Sequence, residues 1–166
     1  FIWDRSDFIS HVRENNYDGC ILTHTGMHPH TLNSTKMAFL KVDGKKVLEI
    51  KEKECYTDDP MSEHASTGAY YFKSGKILKK YFDKLMSLDI NYGGEYYATL
   101  VYNLLIDSGL KVGYYDTEFV TVFGTPDELE SFEAWKTILS SGQVKSEADA
   151  VACYNYWKRY HENDLC

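Results

Sequence analysis

Glu52 and Lys53 stand side by side after the strand-like run Val47-Leu48-Glu49-Ile50-Lys51, and they set one hydrogen-bond acceptor beside one fixed cation. A polar loop follows and feeds a small-residue step, Ala65-Ser66-Thr67-Gly68-Ala69, which runs on into Tyr70-Tyr71-Phe72. Glycine inside a strand marks a place where backbone or ligand comes close. Acceptor, cation and Gly68 together suit a ligand with several hydroxyls and a phosphate. The same residues also read as a polar turn between two strands, with solvated charge at the end of the first. Taken alone they leave both readings open.

Other candidates carry less. His24, His28 and His30 hold three of the six histidines in an H-x-x-x-H-x-H pattern, and neutral imidazole binds zinc and similar ions. The spacing matches no zinc signature and has no neighbouring carboxylate or cysteine, so a loop near an active cleft is the better reading. Asp58-Asp59-Pro60 is a turn rather than a metal pair, for want of a third ligand. Thr125-Pro126-Asp127-Glu128 has the cap, proline and acids of a helix start. It resembles a phosphate-binding helix start, but its two acids would repel an anion. No Ser-His-Asp triad, Cys-His pair or P-loop is present.

The elements that must position these residues follow from period and turn chemistry. Asp4-Arg5-Ser6-Asp7 opens a helix with Phe8, Ile9 and Val12 on one stripe, ended by Asn15-Asn16. Cys20-Ile21-Leu22-Thr23 is a short buried strand. Residues 36–53 form a hairpin about Asp43-Gly44, a strong turn signal. Ser74-Gly75 starts a helix with Ile77, Leu78, Tyr81, Phe82 and Leu85 as packing residues. Asn91-Tyr92-Gly93-Gly94 breaks the chain, Glu95 opens another helix through Tyr96, Leu100, Val101, Leu104 and Leu105, and Ser108-Gly109 stops it. Residues 111–115 and 119–123 read as strands. Phe132, Trp135 and Ile138-Leu139 continue the helix that begins at Thr125. Ser140-Ser141-Gly142 is a linker, and Ser146 and Glu147 open a last helix with Val151, Tyr154, Trp157 and Tyr160.

The totals set limits. A chain of 166 residues suffices for one domain with a substantial core. A net charge of −7 and a sequence pI near 5.3 argue against nucleic acid or an anionic membrane as the main partner, and leave room for a local basic pocket. No apolar run approaches the ~20 residues of a membrane span. Cys20, Cys55, Cys153 and Cys166 are widely spaced without a C-x-x-C pair, which points to reduced thiols and a cytoplasmic protein. The bare apolar start Phe1-Ile2-Trp3 raises the expectation that the chain is the later part of a longer one.

The order of the pieces resembles the sugar-phosphate half of the sugar nucleotidyltransferases, the nucleoside-diphosphate-sugar pyrophosphorylases that include glucose-1-phosphate thymidylyltransferases. The resemblance rests on Val47-x-x-Ile50-x-Glu52-Lys53, the strand from Ala65 to Phe72, the Gly94-Glu95 helix start and Gly124-Thr125-Pro126-x-x-Leu129, and it covers residues 1–140. It implies a three-layer α/β/α fold with a mixed, Rossmann-like sheet whose N-terminal part is missing. Residues 1–142 would form the sugar-phosphate part, and residues 143–166 a C-terminal helix or the start of a following segment.

In that family the Glu of the E-K pair holds sugar hydroxyls and the Lys contacts the phosphate, which falls on Glu52 and Lys53. Gly68 would let the sugar lie against the backbone, and Tyr70 looks like a sugar wall. The implied reaction joins a sugar 1-phosphate to a nucleoside triphosphate with Mg²⁺ and releases pyrophosphate, and the implied role is polysaccharide or capsule precursor synthesis. The sequence departs from the pattern in three places. The glycine-rich nucleotide loop and one metal-binding Asp would precede Phe1, Val122 stands where the second metal Asp is usual, and Gly93 stands where an Arg is frequent. The chain alone is therefore expected not to turn over. A non-catalytic sugar-nucleotide-binding or regulatory domain is the alternative. The aromatic last helix also offers a face to a missing domain or to a second subunit in a homo-oligomer, although closure on the chain's own core explains it as well.

Overall fold

The computed structural model describes residues 3–26, 28, 36–118, 120–122, 124–146, 148–150 and 152–153. They group into two units, Phe1–Gly26 with Thr35–Val120, and Met27–Ser34 with Thr121–Cys166.

In the first unit α1 (Arg5–Glu14) is capped by Asp4, whose side chain accepts from the N–H groups of Ser6 and Asp7. It leads into β1 (Gly19–His24), all six residues of which are buried. The hairpin forms as the turn signal predicts, from β2 (Ala38–Asp43) and β3 (Lys46–Glu52), with Gly44 at φ 53°. A loop with a 3-10 turn at Pro60–Ser62 leads to β4 (His64–Phe72). Then come α2 (Gly75–Ser87), α3 (Ala98–Asp107) and β5 (Val112–Asp116).

The strand order is β1-β4-β2-β3-β5, with β5 also parallel to β1. The other pairings are antiparallel, so the small sheet is mixed. One residue pair, Lys46 with Gly113, brings β3 alongside β5 and curls the sheet back on itself.

Side-chain alternation along β1 explains the layering. Ile21 enters a cluster with Tyr81 and Leu85 of α2 and Val101, Tyr102 and Leu105 of α3. Its neighbours Cys20 and Leu22 enter another with Phe8 and Val12 of α1 and with Tyr17. Helices therefore cover both faces, which is the expected three-layer mixed α/β arrangement. Leu85 is fully buried, and Leu85→Ala would cost about 2–5 kcal/mol. Gly113 is required by packing, because a Cβ there would lie 2.1 Å from Cζ of Tyr17. The Tyr17 hydroxyl crosses β5 in this way and donates to Lys45 O at 2.6 Å. Burial pushes the Cys20 thiol up to about 12, so it behaves as a small apolar residue.

Three expectations need correction. The helix expected to open at Glu95 begins at Ala98, because Tyr92 and Glu95 exchange backbone hydrogen bonds in a tight turn of their own. Leu78 packs poorly, at 36% exposed, since the stripe facing the sheet runs through Tyr81 and Leu85. Residues 120–122 are not a strand, although the run around them is rich in β-branched and aromatic residues. Such residues favour a pleated surface only where a neighbouring strand completes it, and β5 already has β1 on one side and Lys46 of β3 on the other. Phe119 and Phe123 lie outside the described residues.

In the second unit α4 (Pro126–Ser140) starts at Thr125 with a reciprocal cap. Thr125 Oγ1 accepts from Glu128 N at 3.2 Å, and the Glu128 carboxylate accepts from Thr125 N at 2.9 Å. The helix start is thus filled by its own carboxylate, as the structural reading of that motif expects. Ser146 Oγ accepts from Asp149 N at 3.2 Å at the start of the next helical segment. Glu147, Val151, Tyr154, Trp157 and Tyr160 lie outside the described residues.

Candidate functional site

Glu52 is the last residue of β3 and is only 7% exposed. Burial raises its pKa, which a hydrogen bond from Thr99 and the nearby Lys53 charge partly offset. That bond runs from Thr99 Oγ1 to Glu52 Oε2. A buried carboxylate with one side-chain donor still has acceptor capacity to spend.

Lys53 follows in the left-handed region at φ 58°, which turns its side chain away from the path of the strand. Its N–H is tied to Met37 O at 2.9 Å. A non-glycine residue at positive φ is costly and tends to be kept where geometry matters. The ammonium donates to the Tyr97 hydroxyl, which in turn donates to Glu95. The rings of Tyr97 and Tyr92 lie 4.4 and 5.5 Å from Nζ, and Glu95 Oε2 lies 3.9 Å away. The bond to Tyr97, with Glu95 and Glu52 close by, holds the ammonium above its ordinary pKa in spite of some desolvation.

Two strands away the small-residue step is a β-bulge. Tyr70 pairs with Ile21 and Ser66 with Thr23, so residues 67–69 lie opposite Leu22 alone. Gly68 takes φ 83°, with nothing within 4 Å of where a Cβ would stand. Thr67 Oγ1 donates to Leu22 O at 3.0 Å and satisfies the carbonyl beneath the bulge. Gly68 N donates to Ser66 Oγ at 3.2 Å, and Ser66 Oγ to the Tyr70 hydroxyl at 3.3 Å. Tyr70 keeps 37% of its surface exposed. Burial of its hydroxyl raises the pKa, Ser66 opposes this, and the charge of Glu52 adds to it. Glu52 pairs with Ala38 and Phe39 with Ala65, so β2 is the strand between the acid and the bulge.

Glu52, Lys53 and Tyr70 thus interact with one another or through shared neighbours, and Gly68 lies beside Tyr70 in the same bulge. The sequence reading missed Tyr92, Tyr97 and Thr99. Their signal in the sequence is slight: Thr99 is a polar residue in the first turn of the helix, shortly after Gly94-Glu95.

A second charged cluster lies at the ends of β1 and β5. Asp116 Oδ1 accepts from Thr23 Oγ1 at 2.7 Å and lies 2.9 Å from His64 Nδ1. Burial works to raise the Asp116 pKa, but the His64 and Thr23 bonds and the charges of His64 and His24 win, and the net shift is downward. A cleft of about 600 Å³ beside it is walled by Trp3 and Tyr115 and by Asp4, Asp7, Asp116 and Glu118, acids that repel a phosphate. None of the four predicted residues lines it.

Among the described residues no group of three His, Cys, Asp or Glu side chains could hold a metal ion. His24 ends β1, His28 is described, and His30 lies outside the described residues. Val122 has no oxygen to offer in its side chain. The residues described do not fit the Mg²⁺ that the resemblance implies. Among them, no helix is long and apolar enough to cross a membrane.

No family model matches the sequence, and neither does any curated protein. Solved structures do match. A nucleoside-diphosphate-sugar pyrophosphorylase from Vibrio cholerae RC9 is 26% identical with a TM-score of 0.56, over 80% of this chain and 50% of that one. A protein from Bacillus anthracis, described as a glucose-1-phosphate thymidylyltransferase and solved with sucrose, is 20% identical with a TM-score of 0.55. That match covers 81% of this chain and 50% of that one, so this chain spans about half the length of either protein. In fold the chain resembles part of a sugar nucleotidyltransferase.

Proposed function

We propose that this chain holds the sugar side of a nucleotidyltransferase that makes a nucleotide-sugar from a sugar 1-phosphate and a nucleoside triphosphate. The observation that supports this best is the pairing of a buried, incompletely satisfied Glu52 with a Lys53 whose ammonium is held in place by Tyr97. A solvated turn does not need the burial of Glu52. Glu52 accepts from sugar hydroxyls, Lys53 meets the phosphate, the open backbone at Gly68 admits the sugar ring and Tyr70 lies along it. Phosphoryl chemistry draws mainly on positioning and charge neutralisation, which is what these residues supply. The nucleotide and Mg²⁺ with its ligands would be held by protein outside this chain. Supply of precursors for polysaccharide or capsule synthesis, in the cytoplasm, is the setting that suits this reaction.

A second reading is a non-catalytic sugar-nucleotide-binding or regulatory domain. Val122 and Gly93 favour it, since both stand where the resemblance implies functional side chains. Pyrophosphate release by the intact protein, given glucose 1-phosphate, each nucleoside triphosphate in turn and Mg²⁺, separates the two. Turnover that falls at least tenfold in Glu52→Ala and in Lys53→Ala is the expected result. Turnover unchanged in both variants overturns the site, and ligand binding without turnover selects the second reading.

A further inference from the structure

α3 meets β3 through two polar side chains one helical turn apart. Asn103 donates to Ile50 O at 2.8 Å and accepts from Ile50 N at 2.9 Å, so its amide takes the place of a neighbouring strand at that residue. Thr99, 1% exposed, donates to Glu52 Oε2. Residues four apart on a helix share a face, and residues two apart on a strand point the same way. The Thr99/Asn103 pair therefore matches the Ile50/Glu52 pair in period. Asn103 fixes the strand, and Thr99 fixes the carboxylate at its end.

We infer that Thr99 is a positioning residue of the proposed site, holding Oε2 of Glu52 against α3 so that Oε1 is presented to a hydroxyl of the sugar. The inference rests on the reading of Glu52 as the sugar-binding acid and adds the residue that orients it. A buried carboxylate without this bond would be free to rotate and would take up a proton more readily. The titratable groups that act on it are Lys53, next along the chain, which favours its charged form, and Tyr70 on β4, with which its charge interacts. Without the Thr99 hydroxyl the Glu52 pKa rises further, and the acid limb of ligand binding moves to higher pH.

The test is calorimetric titration of the protein with glucose 1-phosphate between pH 4 and 8, in wild type, Thr99→Val, Thr99→Ser and Glu52→Ala. Thr99→Val keeps the shape and removes the hydroxyl. It should weaken binding about tenfold and move the acid limb upward, and Thr99→Ser should restore both. Carboxyl ¹³C NMR of Glu52 reads the same contact without ligand, and its titration midpoint should rise in Thr99→Val alone. Affinity and midpoint unchanged in Thr99→Val overturn the inference, and so does equal weakening in Thr99→Val and Thr99→Ser, which would assign Thr99 to packing. If Glu52→Ala loses binding while Thr99→Val does not, the inference fails and the site stands. If Glu52→Ala binds like wild type, the site itself fails.

Discussion

Glu52 and Asp116 are both carboxylates at strand ends beside a cationic or basic neighbour, and their surroundings push them in opposite directions. Asp116 meets Thr23 and His64 together, and its pKa falls. Glu52 meets a single donor, Thr99, is more deeply buried, and its pKa rises. Asp116 gathers both partners on Oδ1 and through them ties β1, β4 and β5 together. Glu52 is a buried charge that the fold keeps with one side-chain donor, which suits the ligand-binding role proposed for it. Neighbours, rather than residue type, separate Asp116 from the acid proposed to meet the ligand.

The largest effect that could break this contrast is on binding. Glu52→Ala and Lys53→Ala should each weaken glucose 1-phosphate binding by about 10–100-fold, since each removes a charged hydrogen-bonding partner worth roughly 1.5–3 kcal/mol. Asp116→Asn should leave it within about twofold. Equal losses at the two acids would erase the distinction.

Stability should show the reverse order. The folded-state pKa of Asp116 is lowered, so its charge stabilises the fold above the ordinary Asp range, and that contribution fades as pH falls through and below it. Asp116→Asn should cost about 1 kcal/mol in urea unfolding at pH 7, a figure discounted for partial exposure, and much less near pH 3.

For Glu52 the sign inverts. Its folded-state pKa is raised, so the folded protein holds the proton more tightly than the unfolded chain, and ionisation at neutral pH costs stability. Glu52→Gln should raise stability by about 0.5–1 kcal/mol at pH 7, a gain that shrinks as pH falls towards the ordinary Glu range. A stability loss in Glu52→Gln at pH 7 would mean that the carboxylate serves the fold after all.

The sequence made one half of this contrast legible. The Asp43-Gly44 turn pins the hairpin and so puts Glu52 and Lys53 at a strand end. Gly68 reads in the sequence as a place of close approach, and the structure adds the bulge and the positive φ found there. The residues that hold the pair were not legible. Thr99 and Tyr97 lie 47 and 44 residues from their partners, and neither type at that spacing announces a contact. The Asp116 cluster was missed for the same reason, since His64 and Thr23 are 52 and 93 residues away and meet it only through strand pairing. The strand expected at 119–123 shows the complementary limit, because β-propensity says nothing of whether an edge is available.

The most direct test is a single carboxyl ¹³C NMR titration that resolves Glu52 and Asp116 in the same protein, run with and without glucose 1-phosphate. Glu52 should titrate above the ordinary Glu value and Asp116 below the ordinary Asp value, and the sugar phosphate should shift Glu52 alone. Glu52 titrating at or below its ordinary value, or Asp116 responding to the ligand in its place, would contradict the role proposed for Glu52.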